Sequence, residues 1–187
     1  MLKNIGTALV LAAGLALAAS PASAFQTVVT QVDKNTDGSM TYHFAVKLDP
    51  DETLTPGASK AAADFMTIYN FYGMVDGSAK SPPGWEFSSE EFGRTPTANG
   101  YPMVLPLDVP NTPNLTWTVT KPVAPGSQID GFVATTHVGT IVQGQYSAQV
   151  TRQQPAIQGA GGAAAAKAAK QAVLGALPTP TFLAAVK

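Results

Sequence analysis

Met40-Thr41-Tyr42-His43-Phe44-Ala45-Val46-Lys47-Leu48 puts an apolar side chain at every second position from Met40 to Leu48. That is the period of a strand with one buried face. Val28, Thr30 and Val32 read the same way, and Asn35-Thr36-Asp37-Gly38 between the two runs is turn chemistry, so the segments are predicted to pair as a β-hairpin. Working outward, Phe65 to Tyr72 is apolar on both faces and suits a central strand, although Ala61, Ala62 and Ala63 leave its start open to a short helix. Leu115, Trp117 and Val119 alternate with threonines, and Tyr146, Ala148 and Val150 alternate with Gln145, Ser147, Gln149 and Thr151. Ile129 to Val138 and a shorter element at Trp85 to Ser88 bring the count to about seven strands. Gly93 to Pro113, with Pro96, Pro102, Pro106, Pro110 and Pro113, reads as a long loop or irregular edge, since proline cannot donate to a central ladder. The expected fold is mainly β, an antiparallel β-sandwich.

The two ends differ from this body. Residues 1–24, MLKNIGTALVLAAGLALAASPASA, combine Lys3, an apolar run from Ile5 to Ala19 and the small-residue pattern Ala22-Ser23-Ala24. This reads as a secretory signal peptide cut after Ala24, because the apolar run is shorter than the roughly 20 residues of a spanning helix. Its single lysine and alanine-rich core look bacterial, and the expected location is periplasmic or extracellular. Residues 25–154 form the predicted β domain, and 155–187 an Ala/Gly-rich tail with no acidic residue. Alanine propensity predicts a peripheral helix over Ala156 to Leu177, ended by Pro178 and Pro180, after which Thr181 to Lys187 is free to add as a strand to a sheet edge.

The 187 residues carry 11 basic and 12 acidic side chains and no cysteine. A near-neutral chain with an acidic body has no electrostatic footprint for nucleic acid. Lack of cysteine removes disulfides, thiolate metal sites and cysteine nucleophiles together. The sequence holds no Gly-x-Ser-x-Gly elbow, phosphate loop, His-Glu-x-x-His or dinucleotide fingerprint. Glu86, Glu90 and Glu91 are close in sequence but read as a solvated loop, and His43 and His137 as surface or sheet-edge residues. The expectation is therefore a protein that is not an enzyme and needs no cofactor.

Two candidate binding features stand out. Asp33, Asn35 and Asp37 match the opening of a calcium loop, in which alternate oxygen ligands converge. The twelfth position falls on Phe44 instead of the bidentate acid, so an ordinary hairpin turn is the better reading, with calcium only if another loop supplies a ligand. Trp85, Tyr101 and Tyr72 fall outside the clearest buried stripes and are the candidate stacking platforms for a sugar, whereas Trp117 fits the core.

Asp64-Phe65-Met66-Thr67-Ile68-Tyr69, Pro83-Gly84-Trp85, Pro113-Asn114-Leu115-Thr116-Trp117-Thr118 and Gly144-Gln145-Tyr146-Ser147-Ala148-Gln149 resemble segments of uncharacterised exported bacterial β-sandwich proteins, many of which carry a PEP-CTERM sorting tail. Pro-Glu-Pro, a long apolar terminal helix and a final arginine cluster are absent here, so the resemblance covers the body alone. It implies an exported surface or matrix-associated domain and transfers no catalytic residue. The expected function is a structural or interaction role at the cell surface, in the periplasm or in the extracellular matrix. A carbohydrate-binding module is the alternative. The expected partner is a polysaccharide or another exported protein, with no nucleic acid and no membrane span in the mature chain.

Overall fold

The computed structural model describes residues 25–98, 101–102, 108–154, 158–159, 162–163 and 167–182. The predicted signal peptide lies outside the described residues. Within them every regular element is a strand: β1 Gln26–Lys34, β2 Met40–Lys47, β3 Glu52–Thr53, β4 Phe65–Ile68, β5 Trp85–Glu90, β6 Thr97–Ala98, β7 Tyr101–Pro102, β8 Asn114–Val119, β9 Gln128–Thr136, β10 Ile141–Gln154, β11 Gln158–Gly159, β12 Gly162–Ala163 and β13 Lys167–Pro180. All seven strands predicted from the body are present. The fold is mainly β with antiparallel sheets.

β1 and β2 pair across the predicted turn with Lys34 opposite Met40, and β9 adds to the other side of β2. β2 and β9 pair in register up to Phe44 opposite Phe132, after which Ala45 faces Asp130. The skipped residue is Gly131, whose φ of 97° only glycine adopts without strain, so the bulge is written into the sequence. The second sheet runs β13-β10-β4-β8-β5, with β3 pairing the far end of β10.

The apolar faces of the two sheets meet in one core. Phe44 of β2 packs on Trp117 of β8 at 6.1 Å, Phe132 of β9 on Trp117 at 5.7 Å, and Tyr42 edge-on to Phe71 at 5.4 Å. Each such pair adds about 0.5 to 1.5 kcal/mol beyond simple burial. The indole of Trp117 is satisfied by the Lys80 carbonyl at 3.1 Å.

The opposite face of the larger sheet, where the sequence alternates to threonine, is also buried. Thr67 and Thr116 share a hydroxyl bond at 2.9 Å, and Tyr69 bonds Ser147 at 2.8 Å. Arg94 covers them, its guanidinium 4.3 Å from the Phe65 ring centroid and bonded to Thr118 Oγ1 and the Lys60 carbonyl. Small hydroxyls suit a second buried layer because each can satisfy its hydrogen bond sideways along the sheet.

The tail departs from its expected helix: Lys167–Pro180 is a strand that pairs with β10 over all fourteen of its residues. Val173 and Leu177 join the core, so this segment is not peripheral. Helix propensity favours alanine by only tenths of a kcal/mol per residue, and a full ladder plus two buried side chains outweighs it. On the opposite face Lys170 Nζ reaches the fully buried Asp64 at 2.6 Å, with Thr55 and Thr151 completing the cluster. Thr181 N bonds the Thr140 carbonyl, extending the ladder past Pro180. By the alternation of a strand, Pro178 and Pro180 then turn their nitrogens away from β10, where no donor is required.

Candidate functional site

A cleft of about 590 Å³ lies at the end of the larger sheet where β5 and β13 finish. It is built from three connecting segments stitched together by asparagines. Asn114, first residue of β8 and fully buried, accepts the Asn70 amide at 2.9 Å and donates to the Glu91 carbonyl and the Asp108 carboxylate. Asn70 in turn accepts the Val109 amide at 2.8 Å. Both Asn70 and Asn111 adopt left-handed backbone, with φ of 52° and 59°. Asparagine tolerates that region better than other side chains, and non-glycine residues held there concentrate at binding sites.

Asp76, Glu90 and Glu91 line the cleft, together with Ser89, Asn111 and Thr112. Glu90 is held by the hydroxyls of Ser88 at 2.8 Å and Thr116 at 3.3 Å. Phe182, 69% exposed, lines the cleft as well. Its ring meets Tyr72 at 5.6 Å and 86°, and Tyr72 faces a second hollow of about 240 Å³ lined also by Tyr69, Val142 and Thr181. Burial pushes the Tyr69 phenol up to about 12, its Ser147 bond opposing, so it acts as a neutral hydrogen-bonding group. The pair of rings thus forms an aromatic ridge between two hollows. Val142 and Ile141 add exposed apolar surface at the same end.

The sequence-predicted residues fare unequally. Tyr72 belongs to the ridge. Trp85 does not: it is 7% exposed and packs edge-on against Phe132 at 4.9 Å, so it is a core residue and not a surface platform. Tyr101 lies in β7, and its side chain is outside the described residues. Asp33, Asn35 and Asp37 each take separate partners within the hairpin. Asp33 pairs with His43 at 3.0 Å, Asn35 donates to Ser39 and Thr41, and Asp37 accepts from the Ser39 amide and hydroxyl. Asp33 is engaged by Gln31 and His43, and Asp37 helps to close the hairpin turn. Among the described residues no group of three or more metal-ligating side chains comes together.

Glu90 and Glu91, read from sequence as a solvated loop, instead line the cleft. Phe182 and the asparagine lattice were not anticipated. Asn70 and Asn111, each beside a turn, carried a faint signal in their residue type, but the partner contacts come from segments tens of residues apart. Comparison of the chain with protein-family models, with curated proteins and with solved structures finds no match.

Proposed function

We propose that the chain is an exported, non-enzymatic β-sandwich with a structural or interaction role at the cell surface, in the periplasm or in the matrix, and that it engages its partner at the Tyr72–Phe182 ridge. The observation that carries this reading is Phe182 itself. A large ring 69% exposed, edge-on to a second aromatic and lining a cleft that three carboxylates also line, is the composition of a binding surface. The signal-peptide pattern and the resemblance to exported bacterial proteins support the location. No helix among the described residues is long and apolar enough to cross a membrane.

The carbohydrate-binding alternative draws on a specific feature of the same cleft. Ser89, Asn111, Thr112 and the carboxylates offer hydroxyl-bonding groups in a cleft that Phe182 also lines, the two kinds of group that sugar recognition uses. A photo-crosslinking amino acid at position 182, in cells exporting the protein, tests the surface, with the exposed Lys47 on β2 as control. A discrete adduct at 182 and none at 47 is expected, and its protein or polysaccharide nature separates the two readings. Equal labelling at both positions, or none at 182, contradicts the assignment.

A further inference from the structure

β13 is the outermost strand of the larger sheet, and among the described residues nothing pairs with its outer edge. The Thr181 amide bonds the Thr140 carbonyl, and in an antiparallel ladder the residues that bond one neighbour alternate with those that face the other side. The odd-numbered residues of β13 therefore bond β10. Ala168, Lys170, Ala172, Leu174 and Ala176 aim their amides and carbonyls outward, and Pro178 and Pro180, which have no amide proton, fall on the same outward set. β1 and β6 come near β13 but hydrogen-bond within their own sheets.

An exposed strand edge is a template for another chain, and the other edges of the two sheets each carry a device that blunts them. β9 is covered by the segment from Gly73 to Lys80, which bonds it from the Val75 amide to the Thr135 carbonyl and in both directions between Lys80 and Val133. β1 breaks its register at Thr30 and ends on Asp33 and Lys34. β5 has only six residues, among them Glu86 and Glu90. β13 has fourteen residues in unbroken register, with neither charge nor proline from Gln171 to Leu177. Its central charge, Lys170, is turned back onto Asp64 at 2.6 Å and does not guard the edge.

We infer that β13 is a dimer seam, pairing antiparallel with β13 of a second copy about a two-fold axis at Ala172. In this register Ala172 opposes itself, Lys170 opposes Leu174 and Ala168 opposes Ala176. Every outward amide and carbonyl from Ala168 to Ala176 then meets a partner, and both prolines lie beyond the seam. Five donors on each strand supply about ten cross-seam hydrogen bonds, the number that a typical specific interface carries. Charge also permits the pairing, because the two Lys170 residues stand four positions apart along the seam, about 13 Å, beyond the screening length of about 8 Å in physiological salt. A slide toward the C-terminus would press the rings of Pro178 and Pro180 into the pairing, so the prolines set its register. A second copy is the occupant that presents this run in complementary order, and the two-fold axis closes the assembly as one sheet continuous across both copies.

The test is sedimentation velocity of the protein purified from cells expressing the whole chain, over about a hundredfold range of concentration. A dimer that dissociates on dilution is expected. Ala172→Pro deletes an outward amide that β10 does not use, and should give a folded monomer. Should that variant not fold, Leu174→Lys decides: the position is 39% exposed, the new charge faces Lys170 of the second copy twice over by symmetry, and the dimer Kd should rise about tenfold. The register is read by single cysteines in a chain that has none. Cα atoms of a bonded pair lie about 5.5 Å apart, within disulfide range, so oxidation should link Ala172→Cys into a covalent dimer and leave Ala168→Cys, which opposes residue 176, unlinked. A wild-type monomer at every concentration, a dimer indifferent to Leu174→Lys, or equal cross-linking of the two cysteine variants overturns the seam, as does capture of a different polypeptide by Ala172→Cys.

Discussion

Gly175→Ala distinguishes an integral β13 from a peripheral helix by the sign of its effect. On an exposed helix, replacing glycine by alanine raises stability by about 0.8 to 1 kcal/mol. In the strand, Gly175 faces Tyr146 across the β10–β13 ladder, and an added Cβ would overlap Cε1, Cζ and the hydroxyl oxygen of Tyr146. That ring cannot yield cheaply, because it is 4% exposed and its hydroxyl is tied to the Phe25 carbonyl at 3.2 Å. Overpacking a core costs about 1 to 3 kcal/mol and the lost hydrogen bond about 1 more. At about 2 to 4 °C per kcal/mol for a chain of this size, the melting temperature should fall by roughly 5 to 15 °C. Thermal unfolding followed by circular dichroism measures it. In a Tyr146→Leu background the same substitution should cost at least about 1 kcal/mol less, because the atoms it strikes are gone. A rise in melting temperature on Gly175→Ala would refute the placement of β13.

Other consequences follow from the same packing. Lys170→Met removes the 2.6 Å partner of the fully buried Asp64 and should cost about 2 kcal/mol or more in urea unfolding, part of it recovered when Asp64→Asn is added. Ending the chain at Gln154 leaves β10 paired on one side only and removes Val173 and Leu177 from the core, so the truncated protein should be unfolded or aggregated by gel filtration. Burial pushes the Tyr42 and Tyr69 phenols up to about 12, against about 10 in the unfolded chain. The fold therefore favours their neutral forms, and this contribution to stability is complete below about pH 10 and is lost as the pH rises toward 12. Ultraviolet phenolate titration should show these two tyrosines ionising last or together with unfolding.

The strands of the body were legible because period-2 alternation is a local property. Phe44, Trp117 and Phe132 declare themselves by their neighbours in sequence. β13 was not legible, since alanine and lysine speak for a helix and only the length of β10 offers the alternative. The same limit hid the site. Trp85 looked free because its short strand carries a weak pattern, while the ring that buries it, Phe132, is 47 positions away. Phe182 and Tyr72 meet only because the β10–β13 ladder brings residue 182 back to the loop after β4. The calcium-like spacing at Asp33, Asn35 and Asp37 was read as a hairpin turn for a physical reason, since the residues that open such loops are also those that close hairpins.

The central claim is that an exported domain holds its partner through the Phe182 ridge. Fractionation of the producing cells, comparing wild-type protein with Phe182→Ala, tests it most directly. Phe182 is exposed and should leave the melting temperature unchanged, while loss of one central aromatic anchor is worth about 2 kcal/mol of binding, or some thirtyfold in affinity. The account predicts wild-type protein retained on washed envelope or matrix and the variant released into the soluble fraction. Identical distribution of the two proteins would contradict it.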